Sequence, residues 1–147
     1  MLQCQIASGL CRAFSLAIGK EEDYFHRFCQ GGDTISLMRI FRYLPLGTVE
    51  ESKDIDTIIG SSPHTDWGFL TLILQDSVGG LEFLDAEGRW NSVPAVEGRL
   101  VVNCGDYLSL MTDGRLKSPI HRVVPSSLER IYLTCFFIIQ ATTLPFL

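Results

Sequence analysis

His64, Thr65 and Asp66 stand in a row in a 147-residue chain that has only three histidines. In an extended segment residues i and i+2 project to the same face, so one imidazole and one carboxylate would converge. A third ligand must come from elsewhere in the fold. His121 offers it, from a later β-prone run flanked by Ile120, Val123 and Val124. Two histidines and one carboxylate on one side of an ion, with the opposite positions open, form the ligand set of mononuclear non-haem Fe(II) centres. Zinc accepts the same donors, so residue types alone leave the metal open. An H-x-D tripeptide also arises by chance. Here, however, two of the three histidines fall in β-prone runs at opposite ends of one strand-rich region, while His26 lies on the polar side of a helical stretch and is expected at the surface.

The elements that must position these residues follow from periodicity. Leu2, Ile6, Leu10, Phe14, Ala17 and Ile18 recur at spacings of three and four, which predicts an amphipathic helix over 2–18 with Gly19 as its C-cap. A second helix is expected from Glu21, Glu22 and Asp23, with Tyr24, Phe25 and Phe28 as its buried stripe and Gly31-Gly32 as its stop. From Ile35 the pattern changes to short β-prone runs. They are Ser36 to Tyr43, Pro63 to Asp66, Phe69 to Gln75, Leu81 to Leu84, Trp90 to Val93, Leu100 to Asn103, Ser118 to Val124 and Arg130 to Ile139. About eight such strands suffice to close a small double-sheeted barrel. Gly79-Gly80, Asp85-Ala86-Glu87-Gly88, Glu97-Gly98 and Asp113-Gly114 supply turns, Asp106 is placed to cap a short helix through Met111, and 47–62 is the one long loop.

Composition narrows the function classes. The formal charge of -5 comes from twelve Lys and Arg scattered among seventeen Asp and Glu, which gives no nucleic-acid footprint. Five cysteines at 4, 11, 29, 104 and 135 lack zinc-site spacing and imply reduced thiols. Arg12 interrupts the only stretch resembling a membrane segment. A cytoplasmic protein with no membrane or nucleic-acid partner is the expectation. The chain reads as one domain over 1–147, with a helical lead-in over 1–34, a barrel over 35–139 and an atypical tail over 140–147.

The ordered motifs carry a family resemblance. The run from Pro63 to Asp76, which begins Pro63-His64-Thr65-Asp66-Trp67-Gly68, resembles the iron-binding strand region of the isopenicillin N synthase-like oxygenases. Gly79-Gly80-Leu81-Glu82-Phe83 resembles the family's G-L-Q-V segment, and Arg89 to Pro94 its G-x-W-x-x-V-x-P. Asn103-Cys104-Gly105-Asp106 resembles its N-x-G-D, Lys117 to Val123 the segment of the second iron histidine, and Glu129-Arg130-Ile131 the start of the last strand. Met38 to Tyr43 resembles the entry strand L-R-x-x-x-Y. The likeness extends over about 2–139.

What the resemblance implies is a mainly β protein with N-terminal helices, a double-stranded β-helix or jelly roll with the metal at one mouth. By the match, His64, Asp66 and His121 are the iron ligands. Arg130 corresponds to the arginine that pairs with the distal carboxylate of 2-oxoglutarate, and Tyr43 to a tyrosine that donates to the same cosubstrate. The implied cofactors are Fe(2+), 2-oxoglutarate and O2, with ascorbate admitted as an accessory reductant. The implied reaction couples oxidative decarboxylation of 2-oxoglutarate to hydroxylation, desaturation or cyclisation of a small organic substrate. The family's last strand reads Arg-x-Ser, whereas Arg130 is followed by Ile131 and Tyr132, so Tyr132 is expected to narrow the cosubstrate site. The alternative is a truncated, catalytically impaired member acting as a metal-binding or interaction fragment. It is motivated by Tyr132, by the tail and by the lack of the long helical region that precedes the barrel in most members, and self-association through uncovered surface belongs to it.

Overall fold

The computed structural model describes residues 2–29, 35–45, 60–125 and 129–139. Helix α1 (Leu2–Ala17) is followed by a 3-10 turn (His26–Cys29) and by strands β1 (Ile35–Tyr43), β2 (Ser61–His64), β3 (Leu70–Gln75), β4 (Leu81–Leu84), β5 (Trp90–Ser92) and β6 (Val101–Cys104). Helix α2 (Asp106–Met111) and strands β7 (His121–Val123) and β8 (Ile131–Ile139) complete the order. The strands form two four-stranded sheets, β1-β8-β3-β6 and β2-β7-β4-β5. Successive strands mostly alternate between the sheets, which is the double-stranded β-helix. The described pairings are all antiparallel. No described helix is long and apolar enough to cross a membrane.

The two-residue period sorts the first sheet into two faces. Thr71 and Ile73 of β3 and Ile131, Leu133 and Cys135 of β8 point into the barrel, where Ile73, Ile131, Leu133 and Cys135 join Leu81 and Val123 in one apolar cluster. Leu70 and Leu72 take the other face and pack with Ala7 and Cys11 of α1, Phe25 and Leu108. Each such fully buried Leu or Phe contributes about 1.5–3 kcal/mol. The helix ends on a Schellman motif, with Gly19 at φ 77°, its N–H on the Leu16 carbonyl and the Lys20 N–H on that of Ser15.

Four sequence expectations are corrected. The second helix is reduced to the 3-10 turn, because the Phe25 N–H donates to the buried Ser15 hydroxyl, which itself donates to the Cys11 carbonyl, and Phe25 is drawn edge-on against Phe69 at 5.3 Å. His26 is half-buried, its Nδ1 lying 3.1 Å from the Ser8 hydroxyl. Gly105, not Asp106, is the N-cap residue of α2; Asp106 is the first helical residue and accepts from the Thr65 hydroxyl at 3.0 Å. Finally, β2 ends at His64 and leaves Asp66 in the following loop. The tail 140–147, the Gly31-Gly32 stop and all of the 47–62 loop except 60–62 lie outside the described residues.

Candidate metal centre

His64 and His121 are direct cross-strand partners on β2 and β7, with ring centroids 4.3 Å apart. Strand pairing alone therefore brings two imidazoles together. Asp66 arrives by a different route. Its carbonyl accepts from the Asp106 N–H at 2.7 Å, the Gly105 N–H reaches the Phe69 carbonyl at 3.0 Å, and the Tyr107 N–H reaches that of Gly68. The β2–β3 loop is thus laced to the start of α2. The contact is so close that a Cβ on Gly105 would run into the Gly68 carbonyl, which is why the N-x-G-D segment carries glycine there.

Hydrogen bonds fix which atoms face inward. His64 Nδ1 lies 2.7 Å from the Ser62 carbonyl and His121 Nδ1 lies 3.2 Å from that of Pro119, so in both rings Nδ1 carries the proton and Nε2 offers its lone pair. The Asp66 carboxylate is 8% exposed. Its Oδ2 accepts from Thr71 Oγ1 and Asn103 Nδ2, each at 2.6 Å, while Oδ1 lies 3.9 Å from His64 Nε2 and 3.8 Å from His121 Nε2. All three potential ligand atoms lie within 4.8 Å of one another. Bonds of about 2.1 Å at right angles separate their donors by roughly 3.0 Å, so each ligand needs to move inward by less than about 1 Å. Burial holds the His121 imidazolium below its ordinary range, partly offset by the Pro119 hydrogen bond and the Asp66 charge, and keeps that ring in its neutral, ligating form.

The donor set fits Fe(II). Two imidazoles and one carboxylate approach from one side, and the outer side opens on a cavity of about 400 Å³ bordered by His64, Asp66, Arg39 and Trp67. A second, narrower cavity of about 50 Å³ runs from the same ligands into the barrel, past Thr71 and Ile73 to Tyr43 and Leu133. Cys135 lies on its wall, where burial first and the Asp66 charge second push the thiol up to about 12. Burial likewise raises the Tyr43 phenol.

The expected cosubstrate residues separate. Tyr43 lines the inner cavity, but Arg130 precedes β8 with its side chain exposed, and Tyr132 is 45% exposed on the outer face of the sheet. The reason is register. Ile131, Leu133 and Cys135 are the inward residues of β8, and Arg130 and Tyr132 alternate with them. The Tyr132 N–H is tied to Asp76 Oδ2 at 2.6 Å. Sequence reasoning missed Thr71 and Asn103 as the groups that aim Asp66. The N-x-G-D segment contained Asn103 without revealing its partner, and Thr71 stood out only as a hydroxyl among apolar residues. It also missed Arg39, which shares the inward row with Cys135 and borders the outer cavity.

Comparison with known proteins places this architecture. Residues 34–139 match the family model of the 2OG-Fe(II) oxygenase superfamily. The chain is 38% identical over 134 residues to the 2-oxoglutarate-Fe(II) type oxidoreductase hxnY of Emericella nidulans, and 34% identical over 134 residues to gibberellin 20 oxidase 2 of Oryza sativa. These alignments take in 90% and 91% of the chain but only 37% and 32% of those relatives, so the chain spans about a third of their lengths. Among solved structures it superposes on JOX2 in complex with 2OG, Fe and JA with a TM-score of 0.85 at 25% identity, covering 97% of this chain and 40% of that one. It superposes on a full-length Neurospora crassa protein in complex with alpha-KG and 5-formyluracil with a TM-score of 0.82 at 30% identity, covering 94% and 45%. With the family match running through all eight strands and the same fold shared with its solved members, the chain belongs to the 2OG-Fe(II) oxygenase superfamily.

Proposed function

We propose that this chain is the single barrel unit of an oxygenase that holds Fe(II) through His64 Nε2, Asp66 Oδ1 and His121 Nε2 and oxidises a small organic substrate with O2 and a 2-oxo acid. The observation that carries this reading is the division of labour within each ligand: Nδ1 of both histidines and Oδ2 of Asp66 are engaged by the protein, which leaves one donor per side chain turned toward a common point. When bound, iron and a 2-oxo acid supply the oxidising chemistry. The protein orients the three ligands, excludes water from the barrel side through Ile73, Leu81, Val123 and Leu133, and leaves the outer cavity for substrate beside Arg39 and Trp67. Hydroxylation, desaturation and cyclisation are all compatible with that arrangement. Free thiols at Cys4, Cys104 and Cys135 support a reducing, cytoplasmic setting.

A second reading, association with another chain, is favoured by the outer face of the first sheet. Met38 is 55% exposed, Ile40 68%, Leu74 46% and Val102 38%, all on one face beyond the cover of α1. The deciding experiment is anaerobic Fe(II) titration of the purified chain and of Asp66→Ala, followed by oxygen uptake with 2-oxo acids and a substrate panel. One equivalent of iron lost in the variant, with cosubstrate turnover, is expected. Iron that binds equally well to Asp66→Ala would refute the site, and iron binding without turnover under every condition would favour the interaction reading.

A further inference from the structure

A 2-oxo acid that chelates a metal uses its carboxylate and keto oxygen on the ion, so its tail must enter one of the cavities that the ligands border. The inner cavity meets all three ligands. Among the described residues lining it there is no Lys or Arg, and its wall is built from Ile73, Leu81, Val123, Leu133 and Cys135 around the Tyr43 phenol and the Ser61 hydroxyl. The β1–β8 register explains the missing cation: Tyr43 lies opposite Ile131, which is 1% exposed, while Arg130 sits one residue earlier and outside. Inserting a residue or shifting the strand by one would be needed to bring that guanidinium beside Tyr43.

Building on the proposed oxygenase function, we propose that the inner cavity selects a 2-oxo acid with a short apolar tail over 2-oxoglutarate, with Leu133 on its wall and Ile131 beside Tyr43 where a distal carboxylate would require a cation. A carboxylate placed there would be stripped of water and met only by neutral hydroxyls, those of Tyr43 and Ser61, which do not compensate for the lost hydration as a cation would. An isopropyl group in the same place instead buries methyl groups against Leu81, Val123 and Leu133. Arg39 borders the outer cavity, over the Phe137 ring at 6.0 Å, where it is placed for an anionic substrate and not for the cosubstrate tail.

The test compares two isosteric ligands on the anaerobic, Fe(II)-loaded chain by calorimetry and by the visible absorption of the iron chelate. 2-Oxoglutarate and 5-methyl-2-oxohexanoate have the same length and differ only in a terminal carboxylate against an isopropyl group. At least tenfold tighter binding of the isopropyl compound is expected, with the affinity for 2-oxoglutarate unchanged in Arg130→Ala. Equal or tighter binding of 2-oxoglutarate, or its loss in Arg130→Ala or Arg39→Ala, would overturn the proposal. Ile131→Arg, which puts a cation opposite Tyr43, should invert the preference; because that site is buried and the variant is at risk of not folding, the wild-type comparison stands as the decisive arm. Iron bound by the triad together with a preference for 2-oxoglutarate sinks this inference alone, whereas absence of iron binding sinks the oxygenase reading as well.

Discussion

Thr71→Val and Asn103→Ala remove, one at a time, the two donors that hold Asp66 Oδ2 at 2.6 Å. Valine copies the shape of threonine, so the first change deletes little except the hydroxyl. Each lost bond reaches a buried carboxylate and is of the charge-assisted kind, worth about 1.5–3 kcal/mol. Part of that loss falls on the apo fold and part on the metal, because the carboxylate gains rotational freedom that ligation must then remove. Groups in this supporting position typically cost 10–100-fold in metal affinity when deleted, which corresponds to roughly 1.4–2.7 kcal/mol. Either remaining bond still fixes the rotamer, so the double variant should lose more than the product of the single losses. Anaerobic competition against a colorimetric chelator measures the affinity, and chemical unfolding of the apo protein separates instability from weakened ligation. A double variant that folds normally and binds Fe(II) within threefold of wild type would show that Asp66 needs no aiming, and the reasoning would fail.

Three further outcomes follow from the same geometry. Fe(II) at a hundred times its dissociation constant should stabilise the fold by about 2.7 kcal/mol, or roughly 5–10 °C in Tm, and Asp66→Ala should abolish the shift in a thermal scan. Gly105→Ala should destabilise the protein by several times RT, because its Cβ meets the Gly68 carbonyl, and should reduce iron affinity in parallel; normal stability and affinity in that variant would contradict the lacing of the two loops. Alkylation at pH 8 should modify the exposed Cys4 and spare Cys135, whose thiol is pushed up to about 12; since an unfolded thiol ionises near 9, stability should also fall as pH rises from 9 toward 12, and a flat profile there would argue against a buried thiol.

Fold and site were unequally visible in the sequence. Strand positions were legible because a half-buried strand repeats every two residues, and each of the eight expected runs overlaps a strand in the structure. The helical stretch after Gly19 was not, since its acidic start and aromatic stripe describe a local preference that the Phe25–Ser15 hydrogen bond and Phe69 contact override. The two histidines could be picked out by type, yet strand alternation, which predicts that His64 and Asp66 share a face, is not what delivers Asp66. That carboxylate depends on contacts from Thr71, Asn103 and Asp106 that no local pattern encodes. Arg130 shows the limit most sharply. A motif match tolerates an offset of one residue, whereas a strand does not, and that offset turns a pocket residue into a surface one.

The pairing of His64 with His121 has one more effect. Among the described strands β2 is an edge, joined to β7 alone, and its ladder shifts register between Ser61 and His64. Short edges with an irregular ladder are free to slide, and a slide of one residue would turn His64 away from its partner. An ion gripped by both rings therefore acts as a pin through the ladder, admitting one alignment of the two strands and rejecting its neighbours. Iron would then help to fold the mouth at which it works, and amide exchange at 61–64 should slow on loading well before any change is felt in the far sheet.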